Sequence, residues 1–106
     1  MARMRYEIIL APEAIEDLRR LRANIRSAVR DALETHVRYT PTKLSKSRIK
    51  RLRGLSRPQF RLRVGELRIF YDVTEAAVEI VAIVPKTQAA AWLDQAGEAN
   101  EGNSPL

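Results

Sequence analysis

The segment "QFRLRVGELRIFYDV", Gln59 to Val73, constrains the fold more than any other part of the chain. Phe60, Leu62 and Val64 alternate with Arg61 and Arg63. Leu67, Ile69, Tyr71 and Val73 alternate in turn with Arg68, Phe70 and Asp72. Strand side chains point to opposite faces in succession, so each run has one apolar side. Gly65 stands between the runs, where a tight turn favours glycine. The pattern predicts a hairpin with an apolar face and an arginine face. A lone hairpin is marginal in water and needs more strands, or a helix, to cover its apolar side.

The flanking sequence supplies both. "YEIILA" (Tyr6–Ala11) reads as a strand. Pro12 suits the first turn of a helix, where its missing N–H costs nothing. Glu13 and Glu16 favour that helix start, and Ile15, Leu18 and Leu21 give it an apolar stripe. Asn24 is read as the cap of a second helix, whose stripe is Ile25, Ala28, Val29, Ala32, Leu33 and Val37. "RYTPTKLSKS" (Arg38–Ser47) is a polar loop. "IKRLRG" reads as a strand ending in a turn at Gly54. "AVEIVAIVP" (Ala77–Pro85) is nearly continuous apolar, as a strand covered on both faces requires. "KTQAAAWL" reads as a short helix. The expectation is an α+β fold, β-α-α-β-β-β(-α), with two N-terminal helices packed on an antiparallel sheet. One domain spans 1–93, and the polar segment 94–106 is expected to be a disordered tail.

A chain of 106 residues, 45% hydrophobic and 30% charged, suits one small core. It has no cysteine, which excludes disulfides and cysteine-based zinc sites. No apolar run approaches the roughly 18 residues of a membrane span, and "MARMRYEIIL" lacks a signal-peptide pattern. The expected location is cytoplasmic, with no membrane contact. No His/Asp/Glu cluster points to a metal and no Gly-rich loop to a nucleotide, so no metal and no small-molecule cofactor is expected.

The charge is unevenly placed. The net charge is +6, yet the stretch from Thr35 to Gly65 holds no Asp or Glu and ten basic residues. These are Arg38, Lys43, Lys46, Arg48, Lys50, Arg51, Arg53, Arg57, Arg61 and Arg63. The remainder of the chain is net negative. A local basic field of this kind attracts polyanions, above all nucleic acid.

The order of elements, together with "RLRGL", "RLRVGELRIFY" and the closing "IVPK", resembles the RelE/ParE family of toxins from bacterial type II toxin–antitoxin modules. The resemblance runs from about Tyr6 to Leu93. It implies a microbial-RNase-like fold and a cognate antitoxin as partner. It implies as target either the ribosome and its mRNA, cut by RelE-like members, or DNA gyrase, inhibited by ParE-like ones. It also implies roles for residues. Arg68 matches an arginine that contacts the reacting phosphate. Arg61 and Arg63 match two strand lysines, Arg53 the arginine of the "LRG" turn, and Lys86 a basic residue after the last strand. Thr87 stands where a second basic residue would be, and Trp92 or Leu93 where a tyrosine would be. With these go Lys46, Arg48, Lys50 and Arg51 as RNA-binding candidates.

The chemistry of RNA cleavage sets what these residues must do. A 2′-hydroxyl loses its proton, the phosphorane is stabilised, and the leaving 5′-oxygen gains a proton. Arg61, Arg63 and Arg68 suit charge stabilisation. Arginine stays protonated, so it is a poor base. Lys86 is the proton-transfer candidate. His36 has a suitable intrinsic pKa but lies on the second helix, distant in sequence from the arginine strands. Tyr71 reads as packing, and Trp92 as a core or docking anchor. Three readings stay open: a ribosome-dependent mRNA endoribonuclease, a gyrase inhibitor without its own chemistry, and an inactive RNA- or antitoxin-binding module.

Overall fold

The computed structural model describes residues 4–99. Strand β1 (Glu7–Leu10) leads into helix α1 (Pro12–Arg19) and then α2 (Ala23–Ala32). Short strands β2 (Ile49–Arg51) and β3 (Leu55–Arg57) precede β4 (Phe60–Val64), β5 (Leu67–Val73) and β6 (Ala77–Pro85). Helix α3 (Ala89–Ala96) and a two-residue strand β7 (Glu98–Ala99) close the described chain.

The hairpin forms as the alternation requires. β4 and β5 pair antiparallel, and Val64 faces Leu67 across the turn Gly65–Glu66. Gly65 takes φ +56°, the left-handed region that a two-residue hairpin turn demands of its first central residue. The main sheet has the order β1-β6-β5-β4-β2. The three late strands make the expected meander, while β1 joins at the edge beside β6 and runs parallel to it. That arrangement is possible because two helices intervene between β1 and the meander and return the chain to the other end of the sheet.

The core follows from register. One rung carries Ile49, Leu62, Ile69 and Ile83 across four strands. The next carries Arg51, Phe60, Tyr71, Ile80 and Leu10. Phe60 and Tyr71 stack at 5.4 Å between centroids. α1 sets Ala14, fully buried, against this face, while Val29 of α2 and Leu33 and Val37 beyond it fill the other half. The small Ala14 side chain lets the helix approach the sheet closely. Val29, Leu33 and Val37 recur every four residues. The last turn, Leu33–Val37, widens into a π-helix that keeps Val37 inward, with Arg38 N–H donating to the Leu33 carbonyl.

Several sequence expectations change. Asn24 lies inside α2 rather than capping it; Arg22 occupies the cap position and makes no side-chain cap bond. Ile15 and Ile25 remain exposed at 38% each, so the helical stripes are only partly covered. "IKRLRG" is a strand only to Arg51, since Gly54 at φ +77° turns the chain into β3. β3 then pairs with β7 in a second, two-stranded sheet. Positions 94–96 and 98–99, expected to belong to a disordered tail, carry regular structure. α3 continues to Ala96 and Glu98–Ala99 add the β7 strand, while positions 100–106 lie outside the described residues.

A bulge in β6 decides which residues face which side. Phe70 faces Ala82 but Tyr71 faces Ile80, leaving Val81 over. Without it, Ile80 and Ala82 would share a face. With it, Ile80 and Ile83 enter the main core, and Ala82 and Val84 join Phe70 on the opposite side. β1 ends at Leu10, and there the Asp17 carboxylate of α1 accepts the Ile83 N–H at 2.9 Å. No helix among the described residues is long and apolar enough to cross a membrane.

Tyr71 is fully buried, and its hydroxyl donates to the Pro41 carbonyl at 2.6 Å. This bond fastens the polar loop to the sheet, and burial pushes the phenol upward in pKa. Tyr71→Phe should leave the Pro41 carbonyl unpaired and cost about 1–3 kcal/mol. Thermal unfolding of the purified variant checks this. A melting temperature equal to the parent's would mean that the loop is held by other contacts.

Candidate functional site

The outward face of the sheet has two halves. On one, Phe70, Ala82 and Val84 are buried beneath Leu52, Ala89, Trp92 and Leu93. Trp92 stacks on Phe70 at 4.8 Å and 7°, and its indole N–H donates to Glu13 at 2.6 Å. The expected arginine face is therefore basic over only part of its width. Phe70, an aromatic residue in the arginine register, was the signal that α3 would cover part of it.

The other half is basic. Lys50 faces Arg61, and Arg61 faces Phe70, in one rung. In the next, Arg63 stands directly across from Arg68, and Arg68 from Val84. Like charges directly opposite in a sheet destabilise it. The surroundings do little to offset this, because among the described residues no salt bridge reaches Arg61, Arg63 or Arg68. The nearby carboxylates are engaged elsewhere. Asp72 accepts from Arg57 at 3.0 Å and from the Gln59 N–H at 2.7 Å. Glu66 lies 3.8 Å from Lys86.

Arg68 and Arg61 are held by carbonyls instead. Arg68 donates to Gly65 O at 3.0 Å and Leu67 O at 2.9 Å, which folds it over the hairpin turn. Arg61 donates to Ser47 O at 3.3 Å, while its Nε is buried without a partner. Burial, and then the charges of Arg68 and Arg63, push the Arg61 pKa down. A depression of about 300 Å³ lined by Ser47, Arg48, Arg63 and Gly65 opens beside them. A buried donor beside facing guanidiniums is chemically suited to an anionic acceptor.

The remaining candidates divide. Arg48 lines the depression, and its carbonyl accepts the Arg63 N–H at 2.8 Å. Lys46 is exposed on the same loop. Lys86 follows Pro85, which faces Leu67, and its N–H donates to the Glu66 carbonyl at 2.7 Å, which sets it at the turn end of the hairpin that carries Arg68. Arg51 is on the other side. It shares a rung with Phe60, lies 5.3 Å from that ring and donates to Gln59 O at 2.7 Å. Arg53 is exposed in the turn at Gly54. Arg57 pairs with Asp72 and Glu79, which withdraws it from the basic field and braces the start of β4. His36, which sequence distance set apart, lies close enough to Arg48 to feel its charge. Burial first, then Arg48, lower its pKa, so it is mostly uncharged near neutral pH. Among the described residues no cluster of His, Asp or Glu is arranged to hold a metal ion.

A family profile described as the ParE toxin of the type II toxin–antitoxin system, parDE, matches residues 8–90. A double-mutant E. coli toxin RelE in the free state matches with TM-score 0.67 at 22% identity, over 88% of this chain and 95% of that one. A chain of the toxin–antitoxin complex RelBE2 from Mycobacterium tuberculosis matches with TM-score 0.64 at 23% identity, over 77% and 92%. A chain of the archaeal RelE–RelB complex from Pyrococcus horikoshii OT3 matches with TM-score 0.60 at 24% identity, over 78% and 97%. No curated protein sequence matches.

Two outcomes test the basic site. Arg61→Ala and Arg63→Ala should keep the fold, since each relieves like-charge repulsion, and should weaken binding of a polyanion such as single-stranded RNA. The salt slope of that binding should fall by about one unit per lost phosphate contact. Inorganic phosphate should raise the parent's melting temperature, because a ligand at about 100 times its Kd stabilises by about 2.7 kcal/mol. The increment should shrink in Arg63→Ala. Equal increments would place the anion somewhere else.

Proposed function

The chain belongs to the RelE/ParE family of type II toxin–antitoxin toxins, and on that premise we propose that it is a ribosome-dependent mRNA endoribonuclease that arrests translation in the cytoplasm. The observation that carries this reading is the facing pair Arg63 and Arg68, with Arg61 beside them and, among the described residues, no carboxylate paired with any of the three. Such a cradle fits one phosphodiester and the charge that builds on it.

The roles follow from chemistry. The 2′-oxygen of the preceding ribose attacks the phosphorus and loses its proton to water. Arg68, Arg63 and Arg61 hold the equatorial oxygens of the phosphorane. Lys86, an ammonium at the rim, gives a proton to the departing 5′-oxygen. The products are a 2′,3′-cyclic phosphate and a 5′-hydroxyl. The chain brings charge stabilisation in strength and a single proton-transfer group. That imbalance supports ribosome dependence, since orientation of the substrate must come from the complex it enters.

A second reading is inhibition of DNA gyrase, and the match to the ParE family profile favours it. Thr87 and Leu93, in place of basic and tyrosine residues, weigh the same way. The two readings separate in cells. Induction should give new mRNA 5′ ends within translated frames; double-strand DNA breaks without such ends would select gyrase.

The partner would be a cognate antitoxin. Several of the similar structures are toxin–antitoxin complexes. On this chain a cavity of about 630 Å³ between the helices is lined by Leu10, Ile15 and Leu18 with Arg19, Arg26 and Arg30. An amphipathic acidic segment fits that mixture. Ile15→Glu should abolish a salt-sensitive complex with the co-expressed antitoxin and leave toxicity intact. A complex of unchanged affinity would move the partner to another face.

Arg68→Ala is the sharpest test of the site. It should lower the cleavage rate by roughly 10²–10³, the scale of losing one group that stabilises transition-state charge. Stability should change by under about 1 kcal/mol, as for other surface changes. A folded Arg68→Ala protein that stops growth as fast as the parent would remove Arg68 from catalysis.

A further inference from the structure

A second cavity of about 300 Å³ lies at the outer edge of β2, between the π-helical turn and the polar loop. Its polar lining is Thr35, His36, Thr40, Lys43, Ser45 and Arg48. None of these is acidic. Arg48 also lines the depression beside Arg63, so the two cavities share a wall. The mechanism above uses none of the others.

The lining is organised for donation. Ser45 Oγ accepts the N–H groups of Arg48 at 2.9 Å and Ile49 at 3.1 Å. With both lone pairs engaged, its hydroxyl hydrogen is left to donate. The loop is pinned by Lys43 N–H on Thr40 O at 3.2 Å and Ser45 N–H on Ile49 O at 3.0 Å. Thr40 is fastened in turn to the His36 carbonyl at 3.3 Å. A loop tied this way fixes the backbone from which Lys43 and Arg48 project, which lowers the ordering cost of binding. The charged groups facing His36 are Lys43 and Arg48 from the loop. On its own turn, Glu34 and Arg38 are engaged with each other.

We propose that the cavity bounded by His36, Lys43, Ser45 and Arg48 is a second phosphodiester site, which takes a neighbouring phosphate of the same single-stranded RNA whose reacting phosphate lies on Arg61, Arg63 and Arg68. The inference rests on the RNA-directed reading of the first site. Arg48 is the residue that passes the strand from one cavity to the other. Two phosphates held at once fix the register of the strand, so the scissile bond is selected by spacing from an anchor as well as by the cradle that reacts with it. His36 adds to the anchor when protonated, and an anion seated beside it favours that proton.

The chain has one histidine, so its ring signals in a proton NMR spectrum are assigned without ambiguity. The experiment follows the titration of His36 in the full chain at low salt, with and without a short single-stranded RNA oligomer that cannot be cleaved because its 2′-oxygens are methylated. The oligomer should raise the His36 titration midpoint in the parent. It should raise it distinctly less in Lys43→Ala, which should also show an RNA-binding salt slope smaller by about one unit. Lys43 is exposed, and circular dichroism of the variant establishes that it is folded. An oligomer that binds, loses affinity in Arg63→Ala, and yet leaves the His36 midpoint unmoved would overturn the second site while the first stands. A midpoint that rises equally in Lys43→Ala would overturn it too, since the shift would then be a distant field effect. No binding of the oligomer at all would bring down both sites.

Discussion

Arg63 and Arg68 face each other across a hairpin, and the rest of the site depends on that opposition. The pairing follows from Gly65, which sets a two-residue turn and so fixes the register of β4 on β5. A slip of one residue would send Phe60, Leu62 and Val64 to the outer face and the arginines into the core. Burial of the apolar set therefore holds the like charges together. The core stabilises an arrangement that electrostatics alone would disperse, and the repulsion is what makes the face receptive to an anion.

The surrounding structure preserves this imbalance. Asp72 and Glu79 lie on the strands that carry or flank the site, and either would quench it if turned toward the arginines. Arg57 engages both at 3.0 and 2.9 Å. Lys86 draws the exposed Glu66 toward the rim. α3 covers Phe70, Ala82 and Val84, which leaves the basic half as the open part of the outward face. The β6 bulge is what makes that cover possible, because it turns Ala82 and Val84 outward beneath α3 while Ile80 and Ile83 keep the main core.

The incomplete burial of the helices complements the site. Ile15 and Ile25 of α1 and α2 each keep 38% of their surface exposed among the described residues. An apolar groove edged by arginines is a cost for a free protein and an advantage for one that spends its life bound. The basic half of the sheet and the groove edged by Arg19, Arg26 and Arg30 differ in residues but share a sign of charge.

Much of this was legible in the chain. Alternation around Gly65 determined the hairpin and the faces of Arg61, Arg63 and Arg68, because side chains on a strand have only two directions. The acid-free stretch from Thr35 to Gly65 determined that some face would be basic. Tertiary structure decided which of those charges act together. Arg51 and Lys50 are neighbours in sequence yet lie on opposite faces, and Arg57 is removed by carboxylates 15 and 22 residues away. The bulge at Val81 was hidden because "EIVAIV" is apolar in either phase, so no pattern marks where the phase changes. The nearness of His36 to Arg48 was hidden for a different reason. A π-turn and a loop tied down by Tyr71 and Ser45 bring them together, and contacts made by loop closure leave no period in the sequence.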